Sequence, residues 1–217
     1  MIPGIDVSHL QKDIHWPTVK KAGFRFAFYS ASHYPIGKSD LVIDPQLRDN
    51  AAGTASHRIH AAPVHTFSSR VPGKTQAEAF VAAVRDLPFS LTPVVSLPAS
   101  APPNAEQLLA FLLRVELAFK SKPIISTSAR GWRGLDDPAP FAGFPLWLSQ
   151  RGFSLPKPLF PFPMASFWQF SKKSRVPGMI PPCGLDYFMG DEIGLLPFLC
   201  LNRYNDKNYS SGERLAV

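Results

Sequence analysis

The chain has 217 residues, 45% of them hydrophobic and 12% aromatic, which is enough to bury a sizeable core, and the sequence predicts one domain over residues 1–217. Lysine and arginine outnumber aspartate and glutamate by 23 to 16, which favours an anionic partner, although a solvated basic surface explains the same balance. Cys183 and Cys200 are too few for a disulfide framework and too far from any histidine-rich cluster for a zinc site.

No targeting signal is visible in the sequence. The N-terminal residues do not form a basic segment followed by an apolar one, as a secretory signal does. No apolar run reaches the roughly 18 residues of a membrane-spanning helix, so no membrane span is predicted. The localisation therefore stays open, and export would need another route or a signal that has been removed.

Strand-like and helix-like segments alternate up to residue 127. Apolar alternation predicts strands over residues 5–7, 24–32, 59–67, 92–97 and 123–127. Helical spacing predicts helices over residues 16–22, 44–54, 75–85 and 105–119. Three strand-like pieces follow at 145–149, 167–170 and 185–188, without good helices between them. Strand–helix repeats followed by strands alone predict an α/β fold, an incomplete TIM-like (β/α) barrel.

The first strand carries the first candidate for chemistry. Residues 4–11 read Gly-Ile-Asp-Val-Ser-His-Leu-Gln, in which an apolar alternation runs into a polar cluster. Asp6 is therefore predicted at the carboxyl end of the strand, facing away from Ile5 and Val7. In barrels of parallel strands this is the end that carries the active site.

The same stretch resembles the opening signature of the family 25 glycoside hydrolases, lysozymes that cut the muramic acid linkage of peptidoglycan. The resemblance continues with Asp-Ile-His-Trp at 13–16, Phe-Trp-Gln-Phe-Ser at 167–171 and Leu-Asp-Tyr-Phe at 185–188. It covers roughly residues 2–190, which leaves 190–217 as a candidate C-terminal extension. The resemblance implies the (β/α)5(β)3 barrel of this family.

The resemblance also implies which catalytic positions remain. Asp6 and Asp186 stand where the family has its first and last catalytic aspartates. Ser96 and Pro98 stand where the family has an Asp-x-Glu pair, whose Glu serves as general acid. A proline has no proton to give, and a serine hydroxyl carries no charge to stabilise an oxocarbenium-like centre. We therefore expect a degenerate site without the family's usual muramidase activity.

Five residues are predicted to bind substrate. The second strand of the family ends in a Lys-Ala-Thr-Glu-Gly run, where this chain has Ser30 and loses both charges, and the third strand keeps only a histidine, His65. Ser96, Trp168 and Tyr187 complete the set, with Trp168 as the main candidate for stacking on a sugar ring. A wider group of aromatic residues is considered for the same groove: Trp132, Trp147, Phe167, Phe170 and Phe188.

Other carboxylates are candidates for a relocated acid. Asp191 and Glu192 follow the last family motif and are preferred, whereas Glu106 and Glu116 fit a solvated helix better. Asp6 and Asp186 form either an acid pair in which one pKa is raised or a residual acidic patch held by hydrogen bonds.

Three functional classes stay open. The first is a lysozyme-like domain that recognises peptidoglycan or another cell-wall saccharide without hydrolysing it. The second is an active hydrolase with a relocated acid and an altered, for example deacetylated, glycan substrate. The third is a structural scaffold of a phage or secretion apparatus. The sequence contains no phosphate-binding glycine loop, no zinc motif and no basic-aromatic nucleic-acid motif, so no cofactor, metal or nucleic acid is predicted, and the oligomeric state stays open.

Overall fold

A computed structural model describes residues 1–37, 40–99, 103–152 and 154–200. Strands and helices alternate along the first two thirds of the chain, and strands dominate the rest. In order they are β1 (Ile2–Val7), α1 (Trp16–Lys21), β2 (Phe26–His33), β3 (Val42–Ile43), α2 (Leu47–Ser56), β4 (His60–Thr66), α3 (Gly73–Val84), β5 (Val94–Ser96), α4 (Ala105–Phe119), β6 (Ile124–Thr127), α5 (Ala129–Trp132), β7 (Leu146–Ser149), β8 (Phe167–Ser174), β9 (Cys183–Phe188) and α6 (Glu192–Leu195). Short 3-10 turns lie at His9–Gln11, Ala139–Phe141 and Leu196–Phe198.

The strands close into a barrel. The hydrogen-bonded order is β1-β9-β8-β7-β6-β5-β4-β2, and β1 pairs with β2 to complete the ring, while β3 extends β2 outside it. Within the ring, the neighbouring pairs that do not involve β9 are all parallel. Strand β9 is antiparallel to both of its neighbours, β8 and β1. This arrangement confirms the predicted (β/α)5(β)3 barrel. Asp6 and Ser96 line one cleft, as expected of residues at the same end.

Local sequence explains the best-formed helix, α4. The Asn104 side chain accepts a hydrogen bond from the backbone N–H of Gln107, which caps the helix start. Leu108, Leu112 and Val115 recur at helical spacing and are buried against the barrel. The helix ends at Lys120, whose φ of 54° turns the backbone into the left-handed region.

Two apolar layers hold the barrel together. The larger lies between the strands and the surrounding helices and includes Ile5, Phe80 and Phe111. The smaller fills the barrel interior, where Phe28 and Phe167 pack with ring centroids 5.1 Å apart. Aromatic rings therefore plug the barrel below its carboxyl-end mouth, and polar side chains take over at the mouth itself.

Three short elements were not predicted from the sequence, namely β3, α5 and α6. Each has four residues or fewer, which is too short to show a periodic pattern. The candidate extension over 190–217 lies partly outside the described residues, which end at Cys200. Within the described residues no helix is long and apolar enough to cross a membrane.

Candidate functional site

A cleft of about 460 Å³ opens at the carboxyl end of the parallel strands. Asp6 comes from the end of β1, where Ser8 caps the following 3-10 turn and so stops the strand. Ser30 comes from β2, and Ser96 with Pro98 comes from the end of β5. The structure therefore brings four of the residues singled out in the sequence into one cleft.

A carboxyl pair forms the floor of this cleft. Asp6 pairs with Gly184 across the β1–β9 contact, and Asp186 follows two residues later on β9. The two carboxyl groups lie within hydrogen-bonding reach of each other. Two acidic side chains in contact can make a hydrogen bond only when one of them is protonated. The pair is therefore built to hold a proton.

Three neighbours fix the orientation of the pair. The Trp147 indole N–H donates to Asp186 Oδ1 over 2.8 Å. The Gln169 amide donates to Asp6 Oδ2 over 2.6 Å, and Ser149 Oγ donates to Gln169 Oε1 over 2.7 Å. Asp186 Oδ2 is buried and receives no donor from the described residues. A bare carboxylate oxygen in this position would be left unsatisfied, which favours the protonated form of Asp186.

Burial controls the protonation of both acids. It raises the pKa of Asp186 well above the usual range, and the negative charge of Asp6 raises it further. Burial also raises the pKa of Asp6, although the hydrogen bond from Gln169 opposes this effect. Lys172, exposed on β8, lowers the pKa of both acids by its charge. Asp186 is thus the member of the pair that keeps the proton.

A glycine on β9 leaves the space that the Asp6 carboxyl group occupies. A Cβ atom placed on Gly184 would lie 1.6 Å from Asp6 Oδ2, so only glycine allows the carboxyl group to lie against this part of β9. Glycine at this position is therefore part of the site.

Hydroxyl groups replace acids on the rest of the cleft wall. Thr66, Ser96 and Ser126 are paired neighbours on β4, β5 and β6. They line the cleft together with Ser30, Ser149 and Thr127. In the part of the chain that the structure describes, Asp6 is the only acidic residue among the cleft-lining side chains, with Asp186 behind it. Apart from Asp6 and Lys172, the cleft-lining residues that the structure describes are therefore uncharged.

The prediction that His65 lies in the pocket is wrong. His65 is fully buried on the helix side of β4, where Nδ1 meets Ser32 Oγ at 2.9 Å and Nε2 meets Gln76 Oε1 at 3.2 Å. Its ring stacks on Phe111, and burial lowers its pKa to about 4. Because strand residues alternate between faces, the cleft-facing position of Thr66 turns His65 away.

The prediction that Trp168 and Tyr187 line the pocket is also wrong. Gln169 and Asp186 face the barrel interior, so their strand neighbours face outward. Trp168 is 3% exposed, and its indole donates to the Gln150 carbonyl. Tyr187 stacks on Phe170 with centroids 4.9 Å apart. Of the aromatic residues considered for the groove, Trp147 is the one that lines it.

The preferred relocated acids lie far from the pair. Strand β9 runs antiparallel to β1 and carries the chain from Gly184, at the cleft, to Phe188, opposite Ile2 at the other end. Asp191 caps α6, and Glu192 lies close enough to Lys20 and His60 to affect their pKa values. Glu116 borders a separate cavity of about 550 Å³, and Glu106 is exposed outside the cleft. None of these acids reaches the carboxyl pair.

Several cleft residues escaped the sequence reasoning: Thr66, Ser126, Ser149, Gln169, Lys172 and Gly184. Their positions follow from strand parity and register, which fix what faces the interior. The sequence contained a sign that Gln169 belongs to the cleft. Asp6, Gln169 and Asp186 are each the polar residue of an otherwise apolar strand segment. Among the described residues there is no group of three or more His, Cys, Asp or Glu side chains that could hold a metal ion.

Comparison with known proteins agrees with this geometry. The family model for glycosyl hydrolases family 25 matches residues 5–179. Lysozyme M1 of Streptomyces globisporus is 26% identical over 211 residues, which cover 90% of this chain and 70% of that protein. The crystal structure of a bacterial lysozyme from Streptomyces coelicolor has a TM-score of 0.79 at 26% identity, covering 91% of this chain and 96% of that one. A family 25 glycosyl hydrolase from Bacillus anthracis has a TM-score of 0.76 at 24% identity, covering 89% and 91%.

The closed barrel with three terminal strands is the fold of the bacterial lysozyme to which the chain is similar. The chain belongs to family 25 of the glycosyl hydrolases. The family membership expected from the sequence motifs is thereby confirmed.

Proposed function

We propose that this protein is a lysozyme-like module that recognises peptidoglycan or a related cell-wall saccharide and has lost the family's usual muramidase activity. The proposal takes residues 1–217 as one domain. The observation that carries it is the end of β5, where Ser96 and Pro98 face the cleft and no other acid takes their place within the described residues. The similarity to Lysozyme M1 supports a cell-wall glycan as ligand.

The spacing of the carboxyl pair argues against ordinary glycoside hydrolysis. Glycosidases place their two carboxyl groups about 5–5.5 Å apart for retention and about 6.5–9.5 Å apart for inversion, so that a sugar or water fits between them. Asp6 and Asp186 are close enough for the charge of Asp6 to raise the pKa of Asp186, and they therefore act as one proton-holding unit. One unit on one side of the bond lacks the second group that either mechanism needs.

The cleft is nevertheless suited to a saccharide. It combines hydroxyl donors and acceptors with the Trp147 ring and with Leu10, which is 65% exposed at the rim. Sugars present both hydroxyl groups and apolar ring faces, and such mixed surfaces complement them. The family fold thus keeps a binding cleft after the loss of the acid on β5.

A second candidate function is residual hydrolysis of an altered glycan. One observation favours it: the raised pKa of Asp186 keeps a proton available at the cleft floor. In this case Asp6 and Asp186 would be the catalytic residues, and a deacetylated glycan would not need the missing aspartate. A pure scaffold role is the third possibility, and it would leave the cleft without a ligand.

Two assays on the purified chain separate these functions. We expect no measurable release of reducing ends from unmodified peptidoglycan, because the loss of a general acid removes about 10² to 10⁴ in rate. We also expect retention on insoluble cell walls that falls when Asp6 is changed to Ala. Robust turnover that disappears in Asp186→Asn would instead establish the hydrolase, and absence of retention would favour the scaffold.

Restoring the two acids tests whether their loss is the reason for the expected lack of muramidase activity. In Ser96→Asp/Pro98→Glu the β5 end regains the family's two carboxyl groups. We expect slow muramidase activity to appear in this double variant and to be absent from Ser96→Asp alone, because the glutamate supplies the proton. Equal activity in the double variant and the unmodified chain would contradict the loss of the acid as the cause.

A further inference from the structure

Helix α4 carries a second apolar stripe on its outer face. The first stripe is buried against the barrel, as a surface helix requires. On the outer face Leu113 is 53% exposed and Leu117 is 59% exposed, one turn apart. Leu109, which is partly buried, continues the line one turn before Leu113. Packing against the barrel does not require this second stripe.

The outer stripe lies between two well-defined neighbours. On one flank Arg114 Nε lies 3.4 Å from Glu78 Oε1, an ion pair that ties α4 to α3. On the other flank Glu116 and Lys120 border the cavity of about 550 Å³, which is also lined by the exposed side chain of Met164. The leucines between these flanks therefore face solvent and are accessible to another molecule.

Opposite charges lie at equal distances from the centre of the stripe. Glu106 is seven residues before Leu113, and Lys120 is seven residues after it. Seven residues make almost two full turns, so the three residues lie on the same side of the helix, with Cα atoms about 10 Å apart along the axis. Both charged side chains are exposed, and neither takes part in an ion pair within the described ranges. This face is acidic at its start, apolar in its middle and basic at its end.

We propose that the outer face of α4 binds the same face of a second copy of the chain, with the two helices antiparallel and the twofold axis beside Leu113. Leu113 then meets its own counterpart, and Leu109 of each copy meets Leu117 of the other. Glu106 of each copy meets Lys120 of the other. A parallel pair would bring like charges together, so the order of the charges selects the antiparallel direction. Both copies use the same residues, and the contact is therefore closed by its symmetry.

The expected dimer is weak. The stripe covers about four turns of one helix, so the contact belongs to the small interfaces that bury less than about 1,200 Å². The two ion pairs lie in solvent, where they contribute little, so the leucines supply most of the affinity and the charges set the direction. We expect monomer and dimer to exchange with a dissociation constant of roughly 10–100 µM, as for a transient interface.

Antiparallel pairing fixes where the two clefts lie. Helix α4 connects the parallel strands β5 and β6 and therefore runs opposite to them. Two antiparallel α4 helices thus belong to barrels whose carboxyl ends point in opposite directions. If the proposed saccharide binding holds, one dimer can engage two glycan strands, and its retention on walls gains from bivalency. This consequence alone rests on the proposed function, whereas the pairing itself does not.

Sedimentation equilibrium of the full chain, without saccharide, measures the association directly. Leu113→Glu places two negative charges against each other at the axis, and we expect it to weaken association at least about tenfold. Ile193→Glu is the matched control, because Ile193 is a 76% exposed apolar residue on α6, away from this face. Urea unfolding checks that both variants are folded. A chain that stays monomeric up to about 300 µM, or an equal loss in the two variants, would overturn the inference.

A charge exchange tests the direction of the helices. Glu106→Lys and Lys120→Glu each turn the two attractive contacts into repulsive ones, and we expect each to weaken association about three- to tenfold at low salt. The double variant restores opposite charges and should recover most of the association. Failure of the double variant to recover would contradict the antiparallel pair. A monomeric chain whose retention on cell walls falls in Leu113→Glu would assign this face to the wall polymer instead of a second copy.

Discussion

The carboxyl group of Asp186 is enclosed by protein, since the residue is 1% exposed. Its pKa is raised well above the usual range, first by burial and then by the charge of Asp6. The unfolded chain loses this proton near pH 4, whereas the folded protein keeps it to higher pH. The proton therefore stabilises the fold fully below about pH 4, and the contribution is lost as pH rises through the raised pKa.

Asp186→Asn isolates this effect. The amide oxygen still accepts from the Trp147 indole, and the amide N–H group still donates toward Asp6, without a proton to lose. We expect the free energy of unfolding of the variant, relative to the unmodified protein, to increase as pH rises above 4. Each tenfold difference in proton affinity corresponds to about 1.4 kcal/mol. Urea unfolding from pH 3.5 to 8 measures the difference, and parallel curves for the two proteins would contradict a protonated Asp186.

Strand parity explains which residues could be predicted. Asp6 was placed at a strand end from the local apolar pattern, whereas Ser30 and Ser96 were placed by their match to family motif positions, and all three line the cleft. His65 and Trp168 were carried over from family motifs without asking which face of the strand they occupy. Each lies one residue away from a cleft-lining position, at Thr66 and Gln169. Neighbouring residues of a strand face opposite sides of the sheet. The two motifs were therefore recognised correctly, but the residue chosen from each motif faces away from the cleft.

At the scale of elements, the pairing of β1 with β9 positions the carboxyl groups of the site. Gly184 lies directly opposite Asp6, with space for no side chain between them. We expect Gly184→Ala to lower the free energy of unfolding by about 1–3 kcal/mol, the usual effect of overpacking, because the methyl group must displace the Asp6 carboxyl group. The same substitution should be nearly neutral in an Asp6→Ala background, where that carboxyl group is absent.

A double-mutant cycle measures this coupling. The four proteins are the unmodified chain, Gly184→Ala, Asp6→Ala and the double variant, compared by urea unfolding at one pH. A coupling above about 0.5 kcal/mol indicates direct contact. Additive effects would mean that the methyl group is accommodated by the backbone of β9 and that Asp6 does not depend on this glycine.

The elements differ in how far the sequence determines them. The helix over 105–119 was predicted with the bounds that the structure has, because its apolar spacing spans four turns and its cap is local. The antiparallel direction of β9 has no local signal, since alternation is the same for either direction. That direction carries Asp191 and Glu192 away from the cleft, and this is why their nomination as relocated acids failed.

At the scale of the whole molecule, positive charge is in excess. The formal net charge is +7, and the ion pairs among the described residues are His9–Asp44 and Arg114–Glu78. Within the described residues most lysine and arginine side chains therefore have no acidic partner and can attract an anionic polymer. Attraction between exposed charges extends about 10 Å at 0.1 M salt and about 3 Å at 1 M. A contribution of overall charge to wall binding must consequently decline over this range.

Retention on cell walls at increasing salt separates this long-range attraction from binding in the cleft. We expect the bound fraction on walls rich in acidic polymer to fall strongly between 0.05 and about 1 M salt, because screening removes the attraction of the basic surface. On walls stripped of acidic polymer, retention should be weaker at low salt and change less, since the cleft residues Ser96, Ser126 and Trp147 act at contact distance. Asp6→Ala serves as the control, because it alters the cleft floor and leaves the basic surface intact. Salt-independent retention on both kinds of wall would mean that the excess charge serves solubility and that the cleft alone holds the polymer.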